Sequence, residues 1–162
     1  MILQIYTIIH TLISLVAIFT GVIVVLGMLG GNRLDRWTLW FLITAVATTV
    51  TGFFFPYRGF TPAIGLGIIS LPFLALTVFA RYPKHIAGAW RWIYVIGAVV
   101  CLYFNLFVLV VQSFQKVPAL HALAPTQTEP AFQMTQLVVL SLAILLAIIA
   151  VIRFRPEPAL TT

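Results

Sequence analysis

The run IYTIIHTLIS sets a titratable imidazole, His10, inside an otherwise apolar stretch. A polar ring in such a setting costs free energy unless it is partnered, and an ionisable group among lipid-facing residues is by default a candidate for function. An imidazole can bind a ligand, exchange a proton near neutral pH or coordinate a metal. The last role needs partners. The other histidines are His85 and His121, and neither falls at the depth of His10, so a bis-histidine haem is not expected within one chain. A haem shared between two subunits has no support in the sequence. Cys101 is the only cysteine, which rules out an internal disulfide and a CxxC pair. The only acids, Asp35, Glu129 and Glu157, fall in expected loops or the tail. No carboxylate is left inside an apolar run, which weighs against an ion-coupled pump and against paired-carboxylate catalysis. HExxH, GxSxG and phosphate-binding glycine loops are absent. GLG at Gly65 to Gly67 reads as close helix packing. No metal, cofactor or catalytic residue is therefore expected.

What His10 shares a level with depends on the elements that carry it. Hydrophobic residues make up 62% of the 162-residue chain and charged residues 7%. A soluble domain carries about 25% charged residues, so lipid must be the solvent, and one integral-membrane domain over 1–162 is expected. Five apolar runs stand out, at about 2–29, 37–55, 62–80, 90–113 and 131–152. Each approaches or exceeds the ~20 residues that cross a bilayer at ~1.5 Å per residue. With no water to satisfy the backbone, each is expected to be a helix. The expected fold is all-α, a bundle of five transmembrane helices. The first run has no Lys or Arg ahead of it and is far longer than a signal-peptide core, so it reads as a retained helix. PYRGFT reads as the turn between the second and third runs.

On these helices four polar side chains fall at similar depth. His10 lies seven residues from Leu3, or about 11 Å. Thr48 lies eight residues from Pro56, Ser70 eight from Pro62 and Asn105 eight from Ser113, each about 12 Å. Helical stripes carry them: His10, Ser14, Ala17 and Gly21 on the first helix, Thr44, Thr48 and Thr51 on the second, Gly97, Cys101, Asn105, Val108 and Gln112 on the fourth. Gln136, Ala143, Ala147 and Ala150 make a similar stripe on the fifth. Membrane helices turn such small and weakly polar faces toward each other. Two readings stay open. In one, the layer only fixes packing, at about 0.6 kcal/mol per inter-helix hydrogen bond. In the other, it is a ligand-binding pocket in the outer leaflet formed by His10, Ser14, Thr48, Ser70 and Asn105.

Charge predicts orientation. Five helices would place Arg33 and Arg36, Arg81, Lys84 and Arg91, and Arg153 and Arg155 on one side, leaving Arg58 and Lys116 on the other. The positive-inside rule then puts the N-terminus outside and the C-terminus in the cytoplasm. The net charge of +6 needs no nucleic-acid partner. Trp37, Trp40, Trp90 and Trp92, with Tyr82 and Tyr94, read as an interfacial belt on the cytoplasmic side. Pro72 is expected to bend the third helix. In the segment QKVPALHALAPTQTEP, PALHAL reads as a short interfacial helix, with His121 on a lid over the pocket or on a plain connector. Glu129 is expected to cap the last helix, with Pro130 at its first position.

The stretches VTGFFFP, ARYPKHIAGAWRWIY and QKVPALHALAPTQTEP resemble those of a group of small bacterial multi-pass membrane proteins with no assigned activity. The resemblance implies location in a bacterial inner membrane and carries no mechanism. The function classes that remain are a small-solute channel or carrier built as a homo-oligomer, an accessory subunit of a larger respiratory or quinone-linked membrane complex, and, last, an enzyme acting on a lipid-soluble substrate. The expected partners are the lipid bilayer and either further copies of the chain or other membrane subunits.

Overall fold

The computed structural model describes residues 1–56 and 59–155. Arg58 and Glu157 lie outside the described residues. Those residues form α1 (Ile2–Leu29), α2 (Asp35–Gly52), α3 (Pro62–Arg81), α4 (Trp90–Lys116), α5 (Pro118–Leu123) and α6 (Pro130–Arg153), with no strand among them. The fold is all-α, and PALHAL is the short helix α5.

Four of these helices, α1, α3, α4 and α6, are long and apolar enough to cross a membrane. The second apolar run is less so. Asp35 and Arg36 occupy the first turn of α2, and five threonines dilute its 18 residues. It also ends three residues earlier than its apolar run, because Phe53 and Phe54 turn back onto the carbonyls of Val50 and Thr51. In the opposite sense α4 continues a turn past Ser113 to Lys116. Helix α3 runs unbroken through Pro72. Its N-terminus is capped by Thr61, whose hydroxyl accepts from the Ile64 amide at 3.3 Å. Between α1 and α2 the chain reverses at Gly31, where φ is +77°, a conformation that suits glycine.

Helices α1 to α4 form a ring in which α1 packs on α2, α2 on α3, α3 on α4 and α4 back on α1. Helix α6 packs outside the ring on α4 and α1, and α5 lies on α4. The outer faces are apolar: Leu12, Phe19 and Leu26 on α1 and Leu145, Ile148 and Ile152 on α6 are each more than half exposed. Such a surface is consistent with a membrane protein whose outer faces contact lipid.

The ring has two unlike halves. Toward the C-terminal end of α1 it is filled by Met28, Val24, Phe41, Tyr94 and Val95, all essentially fully buried. Arg81 is buried there too, its side chain 3% exposed, and pairs with Asp35, which is 69% exposed. The guanidinium lies 5.2 Å from the centroid of the Tyr94 ring, and the Tyr94 hydroxyl shares a 3.2 Å hydrogen bond with Thr38. Arg91 donates to the carbonyls of Val151 (2.7 Å) and Phe154 (2.6 Å), closing the last turn of α6. Three expectations change here. Tyr94 is 1% exposed and belongs to the core, whereas Trp37, Trp40, Trp92 and Tyr82 are exposed. Asp35 is the first residue of α2 rather than part of a loop. Arg81 and Arg91 hold helices together as well as adding positive charge to this end.

Candidate functional site

The other half of the ring, toward the N-terminal end of α1, is hollow. It holds a cavity of about 480 Å³ lined by all four ring helices. His10 and Ser14 of α1, Thr48 of α2, Ser70 of α3 and Asn105 of α4 all line it. The five residues of the candidate pocket, four of them expected to share a layer, thus line one space. Apolar neighbours such as Leu15, Ile18, Phe53, Phe104 and Val108 complete most of the wall, and Lys116 and Val117 stand at the end of α4.

Sequence periodicity explains the faces. On α1 the stripe runs from cavity to core: His10 and Ser14 line the space, while Ala17 and Gly21 are buried below it. On α4, Gln112, Val108 and Asn105 line it, and Cys101 and Gly97 are buried below. The axial levels differ from the simple count. Because α2 ends at Gly52, Thr48 lies four residues, or about 6 Å, from its helix end. Because α4 reaches Lys116, Asn105 lies eleven residues, or about 16 Å, from its own. The helix ends are not flush, and packing rather than span length sets the common level.

The cavity is closed below. A Cβ on Gly21 would come within 2.8 Å of Phe41 Cε2 and 2.9 Å of Leu102 Cδ1, so α1, α2 and α4 meet there with no spare room. At the cavity's upper rim Gly67 plays a similar part, since a Cβ there would lie 2.9 Å from the Phe53 ring. Close packing is thus what Gly67 in the GLG stretch provides.

His10 is fixed by α2. Its Nδ1 lies 2.8 Å from Thr51 Oγ1, and its ring meets Phe55 edge-on with centroids 5.0 Å apart. Thr51 Oγ1 also lies 2.7 Å from the Ala47 carbonyl, which can only accept. The Thr51 proton therefore goes to Ala47, and His10 Nδ1–H must donate to the Thr51 oxygen. Neutral His10 is thus the Nδ1–H tautomer, with Nε2 left as a lone-pair acceptor. Thr51 carried a signal in its threonine stripe but was not identified as the partner of His10; only the pairing of α1 against α2 brings them together. Tyr6 adds a second link at this end, donating to the Thr51 carbonyl at 2.6 Å.

The other polar groups divide into satisfied and open. Ser14 donates to the His10 carbonyl and Ser70 to the Leu66 carbonyl, each at 2.8 Å. Asn105 Nδ2 donates one proton to the Cys101 carbonyl at 2.9 Å. The Thr48 hydroxyl is buried and has no hydrogen-bond partner. A buried orphan of this kind costs about 1–3 kcal/mol unless something occupies the space beside it.

Of the elements outside the cavity, α5 answers to the connector reading and Glu129 departs from the expected cap. His121 does not line the cavity: the ring is exposed, with Nδ1 3.3 Å from the Phe114 carbonyl, and α5 lies along α4. Glu129 stands at the N-cap position of α6, but its side chain makes no cap bond to that helix. Its carboxylate instead accepts from the Thr126 amide (3.1 Å), the Thr126 hydroxyl (2.8 Å) and the Thr128 amide (3.0 Å). Against the pull of desolvation, which raises it, these bonds hold its pKa below the usual carboxylate value. Among the described residues no three His, Cys, Asp or Glu side chains are grouped to hold a metal ion. Comparison with protein-family profiles, with curated proteins and with solved structures finds no match to this chain.

Proposed function

We propose that this chain is a bacterial inner-membrane protein that holds one small amphiphilic molecule in the ring cavity, as a carrier or binding subunit. The observation that carries the reading is the convergence of His10, Ser14, Thr48, Ser70 and Asn105, from four helices, on one space of about 480 Å³. That volume is within the range of small-molecule sites. The closed Gly21–Phe41–Leu102 level favours a binding site over a continuous pore. A homo-oligomer is expected where the function is a pore, because five short helices leave little room for one inside a subunit; a binding site needs only the cavity of one ring. In the same reading α2 crosses as a fifth span, flanked by long apolar neighbours, with the N-terminus outside. The concentration of Arg and Lys at the far end of the ring supports that orientation.

One experiment tests cavity and orientation together. Native Cys101 is buried, so it is a built-in unreactive control. A Cys101→Ala, Val108→Cys chain carries a single thiol on the cavity wall. In intact cells a small membrane-impermeant thiol reagent should label it far faster than it labels Cys101 in the native chain. Labelling as slow as that of Cys101 would reject an open cavity. Labelling only from the cytoplasmic face of inverted vesicles would reverse the orientation.

A further inference from the structure

We propose that the molecule held in this cavity is an amphiphile with one anionic head, a carboxylate or a phosphate, seated at the Lys116 rim with its apolar body directed down the ring; this rests on the cavity being a binding site. Charge and polarity change with depth along the wall, and that change selects the ligand. Among the described residues Lys116 is the only Lys or Arg that lines the space, and no carboxylate lines it. Asp35 is held by Arg33 and Arg81 at the other end of the ring, and the Glu129 carboxylate is held by Thr126 and Thr128. Lys116 therefore has no anionic partner among the described residues.

Its neighbours at the rim have hydrogen-bonding capacity to spare. Gln112, one turn before Lys116 on α4, and Thr11 on α1 both line the cavity, and neither side chain bonds to another described residue. The Lys116 charge reaches the His10 ring, so the end of α4 and the polar stretch of α1 border the same mouth. Further in, the wall turns apolar. Leu15 and Ile18 lie five and eight residues beyond His10 on α1, about 8 and 12 Å deeper. Phe104 lies twelve residues from Lys116 on α4, about 18 Å. The serines on the wall beside them, Ser14 and Ser70, give their protons to carbonyls of their own helices.

An ammonium at the mouth of an apolar hollow suits one kind of occupant. A cationic amphiphile would meet Lys116 and find no opposite charge on the wall. An inorganic anion would sit at the rim and leave the apolar depth unfilled. A neutral amphiphile would fill the depth and take nothing from the ammonium. An anionic head on an apolar body uses both parts. The head pairs with Lys116 and accepts from Thr11 and Gln112, and the body lies against Leu15, Ile18 and Phe104. Lys116 is exposed, so the pair forms with water still at hand, and little is lost in desolvating the two charges.

The test uses probes of matched shape: 4-pentylbenzoate, the neutral isostere 4-pentylbenzamide and the cation 4-pentylbenzylammonium, with 4-pentylphenyl phosphate to tell the two anionic heads apart. The readout is protection of the Val108→Cys thiol from an uncharged maleimide, in the Cys101→Ala chain purified in mild detergent. In Lys116→Gln the half-protecting concentration of the benzoate should rise about three- to tenfold, between the effects of an exposed ion pair and a charge-assisted hydrogen bond. That of the benzamide should stay the same. Comparing one probe across two chains cancels its partition into detergent. Lys116→Arg should keep the benzoate response. The phosphate should respond to Lys116→Gln in the same direction, and the anion that protects at the lower concentration identifies the head. Benzoate and phosphate responses unchanged in Lys116→Gln, or the ammonium probe protecting best, would overturn the anionic assignment while leaving the cavity as a binding site. A reactive thiol that no probe protects would overturn the assignment and the binding reading together.

Discussion

Replacing His10 by leucine separates packing from binding, and the structure sets the size of the effect. The change removes the Nδ1–H bond to Thr51 Oγ1 and the edge-to-face contact with Phe55. An inter-helix hydrogen bond in a membrane protein is worth about 0.6 kcal/mol on average, and an aromatic pair about 0.5–1.5 kcal/mol beyond its area. The Thr51 proton stays on the Ala47 carbonyl, so Thr51 is left with an empty lone pair rather than an orphaned donor, which is cheap. The expected loss is about 1–2 kcal/mol. For a chain of this length that is a fall of roughly 2–8 °C in midpoint. Thermal melts in mild detergent, with size-exclusion profiles to confirm folding, measure it. Thr51→Val takes away the same bond from the other side, so the double variant should lose less than the sum of the singles. Strict additivity within about 0.3 kcal/mol would refute the hydrogen bond. A rise in midpoint for His10→Leu would refute the aromatic contact as well. Aggregation would make His10 a requirement for folding, contrary to the placement described here.

Gly97→Ala should be more costly than an ordinary glycine replacement in a helix, because its Cβ would run into Thr77 Oγ1, which is held to the Phe73 carbonyl at 2.6 Å. A melting loss of about 1–3 kcal/mol is expected, and Thr77→Ala should relieve most of it; no relief would place the clash elsewhere. Asp35→Ala leaves the buried Arg81 guanidinium without its carboxylate. With Asp35 itself well exposed, the cost should be about 1–3 kcal/mol, between a surface pair and a buried one. Arg81→Met in the Asp35→Ala chain should recover part of that loss in the same melting assay. Glu129 has its pKa lowered in the folded chain, so what it contributes is present above its unfolded pKa of about 4.3 and is lost as pH falls through the lower folded value. The amide NMR signals of Thr126 and Thr128 should titrate in that window and become pH-independent in Glu129→Gln; a transition unchanged in the variant would assign it to another group.

Much of the helical content and the inward faces could be read from the chain alone. Apolar runs near 20 residues leave the backbone no choice but helix in lipid, and a 3.6-residue period decides which side chains share a face. That is why His10 could be aligned with Ser14, and Asn105 with Val108, before any helix was packed. The boundaries of α2 were less legible, because Phe53 to Phe55 are as apolar as the helix they follow, and what stops the helix is a turn.

Tertiary structure decided what periodicity cannot carry. How far each helix slides along its neighbour depends on which side chains interlock, and so Thr48 and Asn105 share a cavity despite unequal distances from their helix ends. The choice of Thr51 as partner for His10, and of Tyr94 as a core ring beneath Arg81, is settled by which helices become neighbours in the ring. The cavity itself exists because packing is tight at Gly21, Phe41 and Leu102 and incomplete above them. The sequence determined that the chain forms helices long and apolar enough for a membrane and which faces are polar; only the assembly of four helices determined that those faces enclose a space.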